Sequence, residues 1–158
     1  TARLVGRDLD GRRYADQLAA HVEAVRTAAA ALPRRPRVYF EEWPQPCITA
    51  IGWVAELVEV AGGDELFPEH RAGVHGKDRI TDWDTVRARA PELMLASWCG
   101  APFEPRTVRE RPGWDDLPCL RDDRLVEIPS EIILQPGPAA LTDGLDAIHA
   151  AVRTVALT

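Results

Sequence analysis

The sequence predicts an α/β fold: a single lobe with a parallel sheet flanked by helices. Three short apolar segments, residues 38–40, 93–96 and 125–128, have the length and composition of buried strands. Segments of helical periodicity separate them, and this alternation is typical of parallel strands joined by right-handed crossovers. At 158 residues the chain is long enough to bury one substantial core. We therefore expect one lobe, preceded by a long helix.

That long helix is predicted over Leu9–Leu32, after a polar lead-in. Apolar side chains recur three or four positions apart along one face, and Pro33 ends the pattern. At 1.5 Å per residue the helix would be roughly 36 Å long, more than a small α/β layer needs. It is either a long surface helix or a spine that joins this lobe to another unit. Residues 1–33 form this part, and residues 34–158 form the lobe.

The segment 37–63 organises the rest of the lobe. Val38–Phe40 reads as a buried strand that Glu41, Glu42 and Trp43 extend to its carboxyl end. Pro44 and Pro46 are expected to stop regular pairing there, because proline has no N–H to donate. Trp53 opens a helix with apolar residues at helical spacing, and Gly62-Gly63 ends it. Ligands of α/β proteins bind in loops of this kind, beyond the carboxyl ends of strands.

The remaining elements follow the same alternation. Residues 64–80 are polar and predicted to be irregular, and Thr81 or Asp82 caps the helix after them. The other predicted elements, in chain order, are a helix over 82–90, a strand over 93–96, a short helix over 105–111, a strand over 125–128 and a final helix over 138–155.

The charge and the apolar runs of the sequence argue against two classes of protein, namely nucleic-acid-binding and membrane-spanning proteins. The net charge is −6 and no basic stripe is present, whereas binding to nucleic-acid phosphates requires clustered lysine and arginine. No apolar run reaches the roughly 18 residues of a membrane span. A signal-peptide pattern is also missing, although a chain that begins at Thr1 is expected to be processed or truncated.

Enzymatic sites are not favoured by the motifs. Trp98-Cys99-Gly100-Ala101-Pro102 follows a strand as a thioredoxin motif does, but Pro102 stands where the second cysteine of a dithiol would lie. We therefore interpret Cys99 as a small buried thiol in a tight turn. Cys47, Cys99 and Cys119 have no metal-type spacing and are interpreted as free, mostly buried thiols.

Two further chemistries fail on spacing. His70 and His75 lie among acidic residues, yet their spacing fits no common metal cluster. Ser97 and Ser130 are the only serines, and neither lies in a G-x-S-x-G elbow. Neither catalytic residues nor a resident metal or cofactor are predicted. Glu41 and Glu42 are adjacent on a strand, so their side chains should point to opposite faces rather than form an acid–base pair.

Tryptophans mark the ends of the predicted strands. Trp43, Trp53 and Trp98 all fall at strand ends or at the adjoining helix start, on one edge of the predicted sheet. Each could be an ordinary core residue. Three on one edge instead favour a surface for a flat apolar ligand or for a partner.

In combination, these residues carry a resemblance to a known family. The matching segments are Glu41-Glu42-Trp43-Pro44, Gly52-Trp53-Val54 continuing to Ala61-Gly62-Gly63, Asp82-Trp83-Asp84-x-Val86 continuing to Pro91-Glu92-Leu93, Trp98-Cys99-Gly100, Gly113-Trp114, Arg124-Leu125-Val126 and Pro136-Gly137-Pro138. Over residues 9–155 the sequence resembles the second lobe of the helical-backbone substrate-binding proteins of ABC importers. That family serves cobalamin, haem and ferric siderophores, and the cobalamin-binding-like subgroup is the most similar.

The resemblance implies a two-lobed protein outside the cytoplasm. In that family two α/β lobes are joined by one long helix, to which Leu9–Leu32 corresponds, and the ligand lies between the lobes. The first lobe, of which this chain contains none, would be a partner. The family also docks a carboxylate from each lobe on an ABC permease. Asp84 occupies that position here, with a shorter side chain than the usual glutamate.

The predicted function is therefore binding of a small-molecule metal chelate, such as cobalamin, and delivery to a permease. The expected ligand-contact residues are Trp43, Pro44, Trp53, Trp98, Cys99 and Gly100. Haem or ferric-siderophore binding by the same fold is one alternative. An α/β enzyme with a pocket at Cys99 is another.

Overall fold

The computed structural model describes residues 2–158, and its elements alternate as the sequence predicts. A short 3₁₀ helix at Ala2–Val5 precedes α1. The α-helices are α1 (Asp8–Ala30), α2 (Gly52–Val60), α3 (Trp83–Ala88), α4 (Pro105–Arg109), α5 (Pro118–Arg121), α6 (Ser130–Ile133) and α7 (Leu145–Ala156). The strands are β1 (Arg37–Pro44), β2 (Cys47–Thr49), β3 (Asp64–Glu65), β4 (Ile80–Thr81), β5 (Leu93–Ala96) and β6 (Leu125–Glu127).

The strands form one mixed sheet in the order β4-β2-β1-β5-β6, with β3 pairing with the start of β1. β1, β5 and β6 are parallel neighbours, as predicted: Phe40 pairs with Leu95, and Leu95 pairs with Val126. Their carboxyl ends therefore lie at one edge of the sheet. The predicted α/β class with flanking helices is confirmed.

One strand, β2, runs antiparallel to both of its neighbours, β1 and β4, which was not predicted from the sequence. β1 continues through Pro44 and turns back into β2, with Pro44 opposite Cys47. The expectation that Pro44 stops pairing was wrong, because a proline is tolerated at the end of a hairpin strand, where no further ladder bond is needed. Residues 64–80, predicted to be irregular, also contain β3, two 3₁₀ turns and the first residue of β4.

Each face of the sheet carries its own core. Alternate residues of β1 supply both, because successive strand side chains point to opposite faces. Val38 and Phe40 pack with α2, α7 and the end of α1, whereas Tyr39 packs with residues of α3, α4 and α5. At about 25 cal/mol per Å² of apolar area, burial of these two layers is the main term that stabilises the lobe.

Helix α1 is anchored only near its carboxyl end. Val25 and Ala29 are its buried residues, and they pack on the core beside α2 and α7. Towards the amino end, Leu4 is 88% exposed, Leu9 77% and Tyr14 49%. The 23 residues of α1 span about 35 Å. Its first half thus presents large apolar side chains to solvent.

Several local predictions are confirmed at the level of single contacts. Asp82 caps α3: its Oδ1 accepts the Thr85 backbone N–H at 2.7 Å. The last helix begins at residue 138 and contains a π-helical turn at Ala140–Gly144 before α7.

Within residues 2–158, no helix combines the length and the apolar character needed to cross a membrane.

A buried carboxylate lies in β3. Glu65 is 3% exposed, and its Oε2 accepts the Phe67 backbone N–H at 3.1 Å, but Oε1 has no hydrogen-bond partner. Burial raises the pKa of Glu65 from 4.5 to about 7. The lobe therefore contains a carboxyl group that titrates near neutral pH.

Candidate functional site

Backbone hydrogen bonds connect the carboxyl ends of the three parallel strands. The Ser97 N–H donates to the Glu41 carbonyl at 2.9 Å, and the Ile128 N–H donates to the Ala96 carbonyl at 2.8 Å. The loop after β5, the loop after β6 and the β1–β2 turn consequently begin at one edge, which we call the cleft edge. This is the position at which α/β proteins bind their ligands.

The Glu41 side chain is the centre of a buried polar network at the cleft edge. Its carboxylate is fully buried and forms a bidentate ion pair with Arg111, with both N–O distances at 2.7 Å. The Tyr39 hydroxyl donates to Oε2 at 2.8 Å, and the Trp98 indole N–H donates to Oε1 at 3.1 Å. Each carboxylate oxygen thus accepts two hydrogen bonds, which satisfies the charge inside the protein.

Aromatic rings enclose the other side of this ion pair. The Arg111 guanidinium carbon lies 4.6 Å from the Trp114 ring centroid and 5.4 Å from that of Trp83, within the range of cation–π contacts. Burial is the largest single influence on Arg111 and opposes its charge, but the hydrogen bonds to Glu41 and the attraction of the Glu41 carboxylate together raise its pKa. Burial also raises the pKa of Tyr39, and the negative charge of Glu41 adds to that effect. Arg111 therefore stays cationic and Tyr39 stays a neutral donor.

Open cavities surround Trp98. One of about 260 Å³ is lined by Pro44, Gln45, Trp83, Trp98, Thr107 and Arg111. A second, of about 490 Å³, lies between the β1–β2 turn and the start of α3 and shares Pro44 and Trp83 with the first. A third, of about 380 Å³, is also lined by Trp98 and lies between its loop and the loop after β6. Trp98 is thus a wall shared by two cavities.

The structure brings some of the predicted contact residues together. Pro44 and Trp98 line one cavity, and Trp98 and Gly100 line another. Trp43 is half-buried against the same hydrophobic cluster as Trp98, and its indole N–H donates to the Gln45 carbonyl at 3.0 Å. Cys99 is exposed, so its interpretation as a buried thiol was wrong.

Trp53 lies apart from the other two tryptophans. It packs against the core on the opposite face of the sheet, and its indole N–H donates to the Ile133 carbonyl at 3.3 Å. Together with Leu18 of α1 and Pro136–Pro138 it lines a separate, mainly apolar cavity of about 420 Å³. The helix start was correctly placed, but the first turn of α2 directs this ring towards α1.

Sequence analysis missed the ion pair and Trp83. Glu41 and Arg111 are 70 positions apart, and no local pattern connects them. A buried glutamate within an apolar strand was the available signal, since such a charge requires a partner. Glu42 pairs with a different arginine, Arg79, at 2.8 Å, so the two adjacent carboxylates have separate partners.

The remaining candidates occupy the surface. The Asp84 side chain is 83% exposed in the first turn of α3, and its Oδ1 lies 3.0 Å from Arg87 Nη2. His70 Nδ1 lies 3.0 Å from Thr49 Oγ1, and its ring stacks on Phe67. Among residues 2–158, no cluster of three or more potential metal ligands occurs.

Comparisons with known proteins agree with this architecture. A family model described as periplasmic binding protein matches residues 1–132. No curated protein sequence matches the chain significantly.

Solved structures with the same fold include the periplasmic haem-binding protein RhuT from Roseiflexus sp. RS-1, at 24% identity and a TM-score of 0.73. The vitamin B12-binding protein BtuF of Vibrio cholerae has 16% identity and a TM-score of 0.69. IsdE of S. aureus, solved with haem, has 16% identity and a TM-score of 0.70. The matches cover 96%, 92% and 96% of this chain, but only 60%, 54% and 60% of those proteins. The chain thus spans little more than half the length of these relatives.

Proposed function

The chain belongs to the periplasmic binding protein family, and from that premise we propose that it is the C-terminal lobe of an ABC-importer substrate-binding component. Family members are ligand-binding transport proteins rather than enzymes. The proposed ligand is a corrinoid or a related metal chelate, captured between this lobe and a first lobe and then passed to a permease. The observation that carries the proposal is a pair of neighbouring cavities at the cleft edge. Both are lined by Pro44 and Trp83, and one of them is also lined by Trp98.

The chemistry of this edge suits a large, partly apolar ligand. Trp83 and Pro44 offer apolar surface beside the Trp98 indole, and the Arg111 guanidinium, whose charge is paired with Glu41, lies close to the ring faces. Tryptophan suits a macrocycle that is apolar on its face and polar at its rim. Haem or a ferric siderophore would use the same features, and those classes are the alternatives within the proposal.

The cavities are open on one side, which supports a second wall. Pockets that enclose a drug-sized ligand measure about 300–1,000 Å³ and bury most of its surface. The cavity beside Arg111 is about 260 Å³ and open to solvent, so a macrocycle resting there would stay exposed. Capture between two lobes removes this difficulty.

The first half of α1 is the proposed seat of the first lobe. Leu9 and Tyr14 expose apolar side chains there, Leu4 of the preceding 3₁₀ helix does the same, and Leu18 leads into the apolar cavity beside Trp53. We infer that the first lobe covers these side chains. The longer relatives have the additional chain that such a lobe requires.

Delivery is proposed to use Asp84. This carboxylate is exposed in the first turn of α3, where the helix dipole favours negative charge, and its neighbour Arg87 leaves it accessible. An arginine of a permease could compete for it. The proposed location is the outer face of the cytoplasmic membrane or the periplasm.

A ligand panel tests the proposal. The full-length protein is titrated with cyanocobalamin, haemin and a ferric hydroxamate while tryptophan fluorescence is followed. We expect one class to quench emission at micromolar concentration or below, and Trp98→Ala to weaken that binding at least tenfold while Cys99→Ser leaves it unchanged. Absence of binding by all three classes would remove the proposed ligand chemistry, and loss of binding in Cys99→Ser alone would favour a thiol-dependent pocket.

A further inference from the structure

We propose that the buried Glu41–Arg111 ion pair is a positioning device that fixes the Trp98 indole, so that the wall between two cavities exists before a ligand arrives. The idea rests on the proposed function only in identifying Trp98 as a ligand-facing wall. Neither Glu41 nor Arg111 needs to contact the ligand for this role.

The hydrogen bonds of the network make the indole dependent on the carboxylate. Trp98 is 6% exposed, and the only polar atom of its side chain, the indole nitrogen, donates a hydrogen bond to Glu41 Oε1 at 3.1 Å. Glu41 Oε1 also accepts a hydrogen bond from Arg111 Nη2 at 2.7 Å, so the ion pair fixes the position of this oxygen. Rotation of the indole would leave a buried N–H without an acceptor and a buried carboxylate with one donor fewer, and both are costly inside a protein.

The ion pair also joins segments that are far apart in the chain. Glu41 lies in β1 at the last pair that this strand makes with β5, Arg111 follows α4, and the guanidinium lies against Trp83 at the start of α3. Tyr39 completes the network two residues before Glu41 on the same face of the strand. All the segments that line the cavity beside Trp98 are thus connected through one carboxylate.

Stability alone does not account for such a pair. Removing two charges from water is expensive, and well-packed apolar residues of similar volume stabilise a core equally well or better. A fully hydrogen-bonded pair does, however, allow a single arrangement of the groups around it. In this lobe that arrangement includes the indole, whose edge also packs on Phe103 with the ring centroids 5.1 Å apart.

Trp98 is the side chain whose orientation matters most for the cavities. It lines both the cavity with Arg111 and the cavity formed with the loop after β6. A change in its side-chain rotamer would therefore alter the shape of both cavities. Fixing the indole therefore fixes the shape presented to a ligand, which lowers the ordering cost of binding.

Hydrogen exchange of the indole N–H tests the idea without any ligand. In the ¹⁵N-labelled full-length protein, exchange of the Trp98 indole is compared between parent and Glu41→Gln. We expect at least about tenfold faster exchange in the variant, because the charged acceptor is lost. The Trp53 indole, which donates to the Ile133 carbonyl at 3.3 Å on the opposite face of the sheet, is the internal control and should change little. Equal Trp98 exchange in both proteins would overturn the proposal.

Trp98→Phe provides a second variant should Glu41→Gln fail to fold. It leaves the ion pair intact and removes the tethered N–H. We expect binding of cyanocobalamin to weaken about tenfold while the thermal midpoint changes by only a few degrees. Unchanged affinity would overturn the positioning role. If the parent protein binds neither cyanocobalamin, haemin nor a ferric hydroxamate, the proposed function fails, whereas the exchange result still decides the positioning role.

Discussion

Replacing Arg111 with methionine should destabilise the lobe strongly, because it isolates a buried charge. Arg111 is 4% exposed and Glu41 is fully buried, so the remaining carboxylate would keep only the Tyr39 and Trp98 donors. Breaking a buried pair by removing one partner costs about 3–5 kcal/mol. Against a total stability of about 5–15 kcal/mol for a domain, this loss is large.

A double variant separates the isolated charge from the lost packing. In Glu41→Gln/Arg111→Met the charge is gone, while the Gln carbonyl can still accept from the indole N–H. We expect the double variant to be more stable than Arg111→Met by about 2 kcal/mol, since the desolvated charge dominates the single change. An effect of exposed charges alone does not predict that a second substitution in the core restores stability.

Urea unfolding followed by circular dichroism gives the free energies. For a domain of this size about 1 kcal/mol shifts the thermal midpoint by about 2–4 °C, so Arg111→Met should lower it by roughly 6–20 °C. Arg106→Met is the matched control: Arg106 is 85% exposed, pairs with Glu110 at 2.6 Å, and should cost less than about 1 kcal/mol. A loss below about 1 kcal/mol for Arg111→Met, or a double variant less stable than the single, would refute the reasoning.

Three further predictions concern other sites. Burial raises the folded-state pKa of Glu65 from 4.5 to about 7, so the contribution of this group to the unfolding free energy is complete below pH 4.5. As the pH rises to 7 the protein should lose up to about 3 kcal/mol of that contribution. The difference in unfolding free energy between parent and Glu65→Gln across this pH range measures the loss. Asp84→Ala should weaken uptake by the whole transporter about tenfold and leave ligand affinity unchanged, as measured by transport and titration. Of the three thiols, only exposed Cys99 should react rapidly with a thiol reagent at pH 8, because burial raises the pKa of Cys47 to about 11 and that of Cys119 to about 12.

Each of these has a result that would contradict it. A Glu65→Gln variant whose stability follows pH as the parent does would show that another group titrates. Asp123→Ala, which removes a carboxylate that is 86% exposed elsewhere on the lobe, is the control for transport; an equal effect of both substitutions would remove the docking role of Asp84. Two or three rapidly reacting thiols in the folded protein would contradict the burial of Cys47 and Cys119.

The sheet and its helices could be predicted because local sequence determines them. Val38–Phe40 and Leu93–Ala96 are continuous apolar runs of strand length, which is what a strand covered on both faces requires. Asp82 could be named as a cap from its position before a helical pattern. The antiparallel β2 could not, because a three-residue strand after two prolines carries too little periodicity to distinguish it from a loop.

The site was less predictable because it depends on contacts between distant residues. Placing Trp43 and Trp98 at one edge followed from the parallel topology alone. Trp53 starts a helix at the same edge, but the rotation of that helix about its axis directs the ring to α1, and sequence spacing does not fix this rotation. The Glu41–Arg111 pair lay beyond sequence reasoning for the same reason, since no pattern specifies which distant arginine meets a buried acid.

Indole resonances of the full-length protein test the central claim most directly, namely that a ligand binds at the cleft edge around Trp98. The five tryptophans are labelled with ¹⁵N, and cyanocobalamin is added as a diamagnetic probe. We predict that the Trp98 and Trp83 indole signals shift on binding while that of Trp114, which is fully buried, stays in place. Binding that shifts the Trp53 signal and leaves Trp98 and Trp83 unchanged would contradict the account.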